Sequence, residues 1–261
     1  MRVPALLIAI PLLASCAKRS DPGWATAGAG VTGDGTVTGA PASVKRAVAP
    51  PSLDGKLDDA VWATATALGP FVEPGSGSTP SGSPVEGFAK LAWDDQKLYV
   101  GFVVRDRSPF SPFGRDEKDP HIWEKSSAIE IMLQPGDPGD NREYYEIQVD
   151  AHEAVFDTRW DDYNVPIAGA GDAKTFGHMD WSGALERAVY VQSDAFWSVE
   201  IAMPWSALVK GRAQTPPKPG DVWRLDLYTF RDGQRQALAW SPIRGQGNFH
   251  KSARFGRVKF E

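Results

Sequence analysis

Lys97-Leu98-Tyr99-Val100-Gly101-Phe102-Val103-Val104, Ala128-Ile129-Glu130-Ile131-Met132-Leu133 and Tyr144-Tyr145-Glu146-Ile147-Gln148-Val149 repeat large apolar side chains at every second position. Successive side chains of a strand point to opposite faces, so this spacing predicts strands with one buried face. Phe88–Trp93, Ala154–Arg159, Ala184–Gln192, Ala195–Met203, Val222–Phe230, Ala237–Trp240 and Arg254–Phe260 read the same way, each bounded by Gly, Pro, Asp or Asn. Helical signal is confined to Asp58–Trp62, with acids ahead of apolar residues, and Pro204–Leu208, with a proline in the first turn. The expected fold is all-β: two packed antiparallel sheets in a jelly-roll-like β-sandwich, with one or two short helices.

Outward from these strands, the N-terminal end has a different character. Arg2 precedes the apolar run Val3–Leu13, small residues follow, and then comes Cys16. This is the layout of a secretory signal, too short to span a bilayer, which needs about 20 apolar residues. Leu13-Ala14-Ser15-Cys16 resembles the bacterial lipobox, which implies acylation of the Cys16 thiol after removal of residues 1–15. Cys16 is the only cysteine, so no intrachain disulfide or thiolate metal cluster can form. Each buried methylene contributes about 0.8 kcal/mol, so two or three acyl chains would hold the protein at the membrane. Ala17 in place of an acidic residue favours the outer membrane by the same resemblance, placing the protein in the cell envelope. Residues 16–43, rich in Gly, Ala, Thr, Ser and Pro, read as a flexible tether, and residues 44–261 as one domain.

The full chain carries a formal net charge of -5, from 28 Lys+Arg against 33 Asp+Glu, and loss of Arg2 with the signal makes it -6. No basic run exceeds Lys18-Arg19 or Lys45-Arg46, so no nucleic-acid partner is expected. Ten tryptophans are the more informative excess. Trp62, Trp93, Trp197, Trp205 and Trp223 sit among alternating apolar neighbours and read as core.

Four segments carry a family likeness: Leu53-Asp54-Gly55-Lys56-Leu57-Asp58-Asp59-Ala60-Val61-Trp62; Ala92-Trp93-Asp94-Asp95-Gln96-Lys97-Leu98-Tyr99-Val100 running to Asp106; Ile122-Trp123-Glu124-Lys125-Ser126-Ser127-Ala128-Ile129-Glu130-Ile131; and Phe255-Gly256-Arg257-Val258-Lys259-Phe260. Together with Trp197–Trp205 they resemble the family 9 carbohydrate-binding modules and their DOMON-like β-sandwich relatives. That resemblance implies a non-catalytic sugar binder in which two aromatic rings clamp a terminal sugar. Carried onto this sequence, the rings are Trp123 and, in Gly247-Asn248-Phe249-His250-Lys251, Phe249, with His250 beside it as a second candidate. Glu130 is the implied polar partner, and Gln148 stands where better-known members carry Arg. Phenylalanine lacks the indole N–H, and glutamine lacks the fixed guanidinium fork. By their own setting, Glu130 and Gln148 also fit a solvated strand face, and Trp123 a plug beneath the loop Pro109–Pro120. Asp157-Thr158-Arg159-Trp160-Asp161-Asp162-Tyr163 clusters carboxylates with aromatics after a strand and is a candidate neighbour of the same pocket.

No cofactor is expected, with calcium at the acidic loop Asp137–Asp140 as the one alternative. GxSxG, HExxH and GxxxxGK are absent, leaving a carboxylate-pair glycosidase as the catalytic alternative. Two others remain: a haem domain ligated by Met132 with His250 or His178, and a surface assembly or adhesion domain without a sugar site. The partners expected are a glycan, the membrane through the lipid, and an envelope polysaccharide-processing complex. If Cys16 carries the lipid, Cys16→Ser will move the protein from the detergent phase to the aqueous phase on fractionation. A variant still retained in membranes would remove the anchor.

Overall fold

The alternating segments pair as strands because each carries enough β-branched and aromatic surface on one face to bury it against a second sheet. The computed structural model describes residues 36–168, 175–245 and 247–261; the expected signal, Cys16 and most of the tether lie outside the described residues. The strands are β1 (Ala42–Arg46), β2 (Thr66–Leu68), β3 (Glu86–Trp93), β4 (Lys97–Arg105), β5 (Ala128–Gln134), β6 (Arg142–Asp150), β7 (Val155–Asp162), β8 (Gly177–His178), β9 (Glu186–Gln192), β10 (Phe196–Pro204), β11 (Val222–Arg231), β12 (Gln236–Ala239) and β13 (Gly256–Phe260). Two short helices are α1 (Ala60–Thr64) and α2 (Ile122–Lys125).

The order β8-β7-β6-β5-β11-β13-β1-β3-β4-β10-β9 forms one continuous path. It folds over into two layers that share a core of Ile129, Ile131, Ile147 and Leu227 from one and Val100, Phe102, Val199 and Ile201 from the other. This is the all-β sandwich expected from the periodicity, with one departure. β1 joins the layers, running parallel to β13 through Ala42–Val44 and parallel to β3 through Lys45 and Arg46. The ordered domain also starts earlier than residue 44. Val37 is buried and its N–H donates to the Ala253 carbonyl.

The five core tryptophans are all buried, Trp205 being the most exposed at 3%. Trp93 ties the joint together, since its indole N–H lies 3.1 Å from the Val44 carbonyl and 3.2 Å from that of Glu261. The Pro204–Leu208 helix is a 3-10 turn over Trp205–Ala207, and α2 had no sequence signal.

The segment Leu53–Trp62 closes over the outer face of β10 through one buried carboxylate. Glu200 accepts from the N–H groups of Asp54 at 2.9 Å and Gly55 at 2.8 Å, and from the Trp62 indole at 2.6 Å. Gly55 has φ +82°, and a Cβ there would lie 2.4 Å from the Tyr190 nitrogen, so the turn requires glycine. Removing the carboxylate leaves buried donors unpaired. Glu200→Ala is therefore expected to lower unfolding free energy by about 3 kcal/mol, read from the urea midpoint.

Candidate functional site

The outer face of β5, β6, β7 and β11 is where sequence reasoning expected water. Instead every residue of β5 is buried, Glu130 and Gln148 included, both at 0% exposure. The correction has a physical reason. α2 and the segments bearing Phe113, Tyr163, Phe176, Ile243, Phe249 and Phe255 roof this face with a second, aromatic cluster.

Register builds the floor beneath that roof. Tyr228, Glu130, Gln148 and Phe156 stand side by side across four strands, and Asp226, Met132, Glu146 and Thr158 form the next row. Cross-strand neighbours lie about 5 Å apart, so three carboxyls share a small area. One amide sits between two of them. Nε2 of Gln148 donates to Oε2 of Glu130 at 2.8 Å and to Oε1 of Glu146 at 3.0 Å. Oε1 of Glu130 and Oε1 of Gln148 have no partner. Asp226 differs, accepting from the Leu227 and Ser241 N–H groups and from the Tyr228 hydroxyl.

Of the expected platforms, Trp123 is half-buried on α2, edge-on to Phe156 at 4.7 Å and stacked on His121 at 4.5 Å. α2 is held there by Gly233, whose N–H donates to the Ser126 carbonyl at 3.0 Å. Phe249 is 6% exposed and lies flat on Tyr228, 4.1 Å between centroids. The expected clamp of Trp123 against an open Phe249 is therefore not the arrangement present: the phenyl ring covers the tyrosine. A second aromatic group lies farther along the face, with Tyr163 half-buried at its rim. His250 stacks on Tyr163 at 4.1 Å, meets Trp160 edge-on at 4.8 Å, and has Nδ1 2.7 Å from the Tyr144 hydroxyl. Phe156, under Trp123, and Trp160, under His250, are four residues apart on the same face of β7, or about 13 Å. Thr158 and Glu146 lie between them.

Sequence reasoning missed Glu146, Asp226, Tyr144 and Tyr228. Their signal was parity: each lies on the face opposite the Ile and Leu residues of its strand. The segment Asp157–Tyr163 is split by the same parity. Trp160 joins the aromatic group, whereas Asp157 turns to the other face and accepts from the Gly183 N–H at 2.7 Å. There it lines a hollow of about 480 Å³ with Arg115, Lys118, Trp181 and Arg187. A second hollow, of about 520 Å³, is bordered by Asp140, Asn141, Arg244 and Lys251.

The alternative ligand sets fare differently from the polar floor. Asp137 is paired with Arg224 and Arg257, and Asp140 with Arg212. Among the described residues no cluster of three His, Cys, Asp or Glu side chains could hold a metal. His178 bonds Asp161 at 2.8 Å, and Met132 is buried between Asp226 and Glu146.

Residues 53–261 match the family described as carbohydrate family 9 binding domain-like. The chain belongs to that family. Its fold is similar to a carbohydrate binding module family 9 from Caldicellulosiruptor kristjanssonii in complex with cellotriose, at 16% identity and a TM-score of 0.54 over 84% of this chain and 93% of that one. The glucose complex from the same organism gives 16%, 0.54, 84% and 95%. A putative carbohydrate-binding protein from Bacteroides uniformis gives 16%, 0.61, 84% and 98%. No curated protein matches the chain. The family 9 domain is a binding module, not a catalytic one.

Burial, and then the neighbouring Glu146 carboxyl, holds the Glu130 pKa well above the usual carboxylate range, against the Gln148 hydrogen bond. Burial likewise pushes Glu146 up to about 7 and His250 down to about 3. The last two cancel in their effect on stability between pH 4.5 and 6.5, their ordinary values, because folded and unfolded pairs each hold one proton there. Glu130 does not cancel. The folded protein keeps a proton that the unfolded chain releases above about pH 4.5, so stability falls as pH rises through that window. Urea midpoints taken from about pH 5 to pH 8 should decline, and Glu130→Gln should flatten the decline. An unaltered slope in that variant would place the proton elsewhere.

Proposed function

We propose that this protein is a lipid-anchored, non-catalytic carbohydrate-binding domain that stacks a sugar on Trp123 and hydrogen-bonds it through Glu130 and Gln148. The observation that carries this reading is the pair of unpartnered acceptors, Oε1 of Glu130 and Oε1 of Gln148, fully buried beside a half-buried indole. Buried polar atoms in native proteins nearly always have partners, so two orphans on adjacent strands mark a place where a ligand completes the bonding. Sugars suit it. Their C–H faces pack on aromatic rings while their hydroxyls reach the polar floor. His250, Tyr163 and Trp160 form the far wall, and Phe249 supports Tyr228 from behind. The relatives solved with cellotriose and glucose favour a glucose-type or related hexose.

The Cys16 lipid and the tether would hold the domain at the outer membrane, where it would retain polysaccharide for companion enzymes of the envelope. A module of this kind binds with a dissociation constant of roughly 1 µM to 1 mM, or about 4–8 kcal/mol.

Burial of Phe249 favours a second reading, a surface assembly domain whose sugar site is closed. Affinity electrophoresis through a panel of soluble polysaccharides separates the two. Under the glycan reading at least one polymer retards the protein, and Trp123→Ala weakens that retardation by about tenfold, or ~1.4 kcal/mol, with little change in melting temperature. Free migration through every polymer would leave the assembly reading.

A further inference from the structure

The floor of the site has an unusual balance of donors and acceptors. Both amide protons of Gln148 are already taken by Glu130 and Glu146. What remains open, Oε1 of Glu130 and Oε1 of Gln148, can only accept while the carboxyl is ionised. Among the described residues, no Lys or Arg is paired with Glu130, Glu146 or Asp226. The nearest base is His250, whose Nε2 is 3.7 Å from Oε2 of Glu146 and which burial keeps neutral. The Asp226 oxygens are occupied by the Leu227, Ser241 and Tyr228 donors. With Glu130 ionised, the unmet demand is thus for hydrogens and positive charge, and it is confined to the Glu130–Gln148 cross-strand pair.

A neutral hydroxyl meets that demand poorly. Against the ionised carboxylate it supplies one proton and no charge, and its two lone pairs add to an acceptor-rich floor. An ammonium supplies three protons, no lone pairs and the missing charge. We propose that the site prefers sugars bearing a protonated amine, with the ammonium seated between Oε1 of Glu130 and Oε1 of Gln148. This deepens the glycan reading above and rests on it. Glu130 and Gln148 are fully buried, and the side chain of Gln234, on the exposed 3-10 turn Gly233–Arg235, hydrogen-bonds Glu130, so the amine would take the place of that amide. The turn packs directly on α2, the helix that carries Trp123, where a Cβ on Gly233 would lie 2.5 Å from the Trp123 carbonyl.

Burial favours the protonated carboxyl in the empty site, and an arriving ammonium favours the ionised one. Seating the ligand cation therefore expels the Glu130 proton to solvent. The bound pair is carboxylate and ammonium, and one proton appears in the buffer for each ligand bound.

The test is isothermal titration of the full chain with glucosamine, glucose and N-acetylglucosamine, and with their β-1,4 trimers. Titrations run at about 0.15 M and 0.5 M salt, in two buffers of different ionisation enthalpy. The amino sugars should bind at least about tenfold tighter than both neutral sets, keep that preference at high salt, and release protons. Glu130→Gln should bring the preference close to one. Gln148→Arg, which sets a fixed cation beside the carboxylate, should invert it, with circular dichroism reporting the fold of each variant. The wild-type comparison stands without either variant. Neutral sugars binding as well as amino sugars would overturn the proposal and leave the glycan reading intact. A preference that vanishes at high salt would also overturn it, as mere attraction to an acidic surface. Failure to bind any of the sugars would bring down the glycan reading itself.

Discussion

The Nε2 group of Gln148 holds two carboxyls in a water-poor layer where each would otherwise face the other's charge. Coulomb repulsion between charges about 5 Å apart amounts to several kcal/mol at the effective dielectric of a protein, and one amide offsets only part of it. Burial is the first cause that holds the Glu130 and Glu146 carboxyls above their ordinary range, and at Glu130 the neighbouring Glu146 charge adds to it. The roof follows from the same constraint. Its aromatic side chains exclude water from the floor, where strand residues supply hydrogen bonds: the Trp160 N–H lies 3.1 Å from Oε2 of Glu146, and Tyr228 donates to Asp226 at 2.8 Å.

The fold was legible in the sequence because sheet formation is written in a local pattern. Alternation in Lys97–Val104, Ala128–Leu133 and Tyr144–Val149 marked β4, β5 and β6 with correct parity. Three short elements escaped. β2 and β8 are too brief to show a period, and β1 straddles the boundary drawn between tether and domain after residue 43. Ala42 and Val44 reach the core, but most of the pairing of β1 comes from flanking strands distant in sequence, and such support is invisible to propensity.

The site was legible only in part. Trp123, Glu130, Gln148, Phe249 and His250 all fall on or beside one face of one sheet. What sequence could not give was depth. Parity separates two faces but says nothing of whether loops cover the outer one, and so Glu130 and Gln148 fitted solvent as readily as a buried floor. Phe249 shows the same gap for rings. A loop phenylalanine can serve as a platform or as a cover, and the stack on Tyr228 makes it a cover here. Glu200 illustrates the opposite case: it anchors the Leu53–Trp62 segment on the other layer, far from the polar floor in strand order. Scaffold and recognition thus draw on separate buried acids.

The parallel alignment of β1 with β13 bears on mechanics. A pull applied between the N-terminal side of β1 and the C-terminal side of β13 runs along the strands in opposite senses. It loads their hydrogen bonds together in shear instead of peeling them one by one. β3 braces β1 from its other side through Lys45 and Arg46. A domain that grips a large polymer while held from its N-terminal end would meet such a load across β1 and its two neighbours, and its lifetime under tension would be set by the rate at which that strand slips.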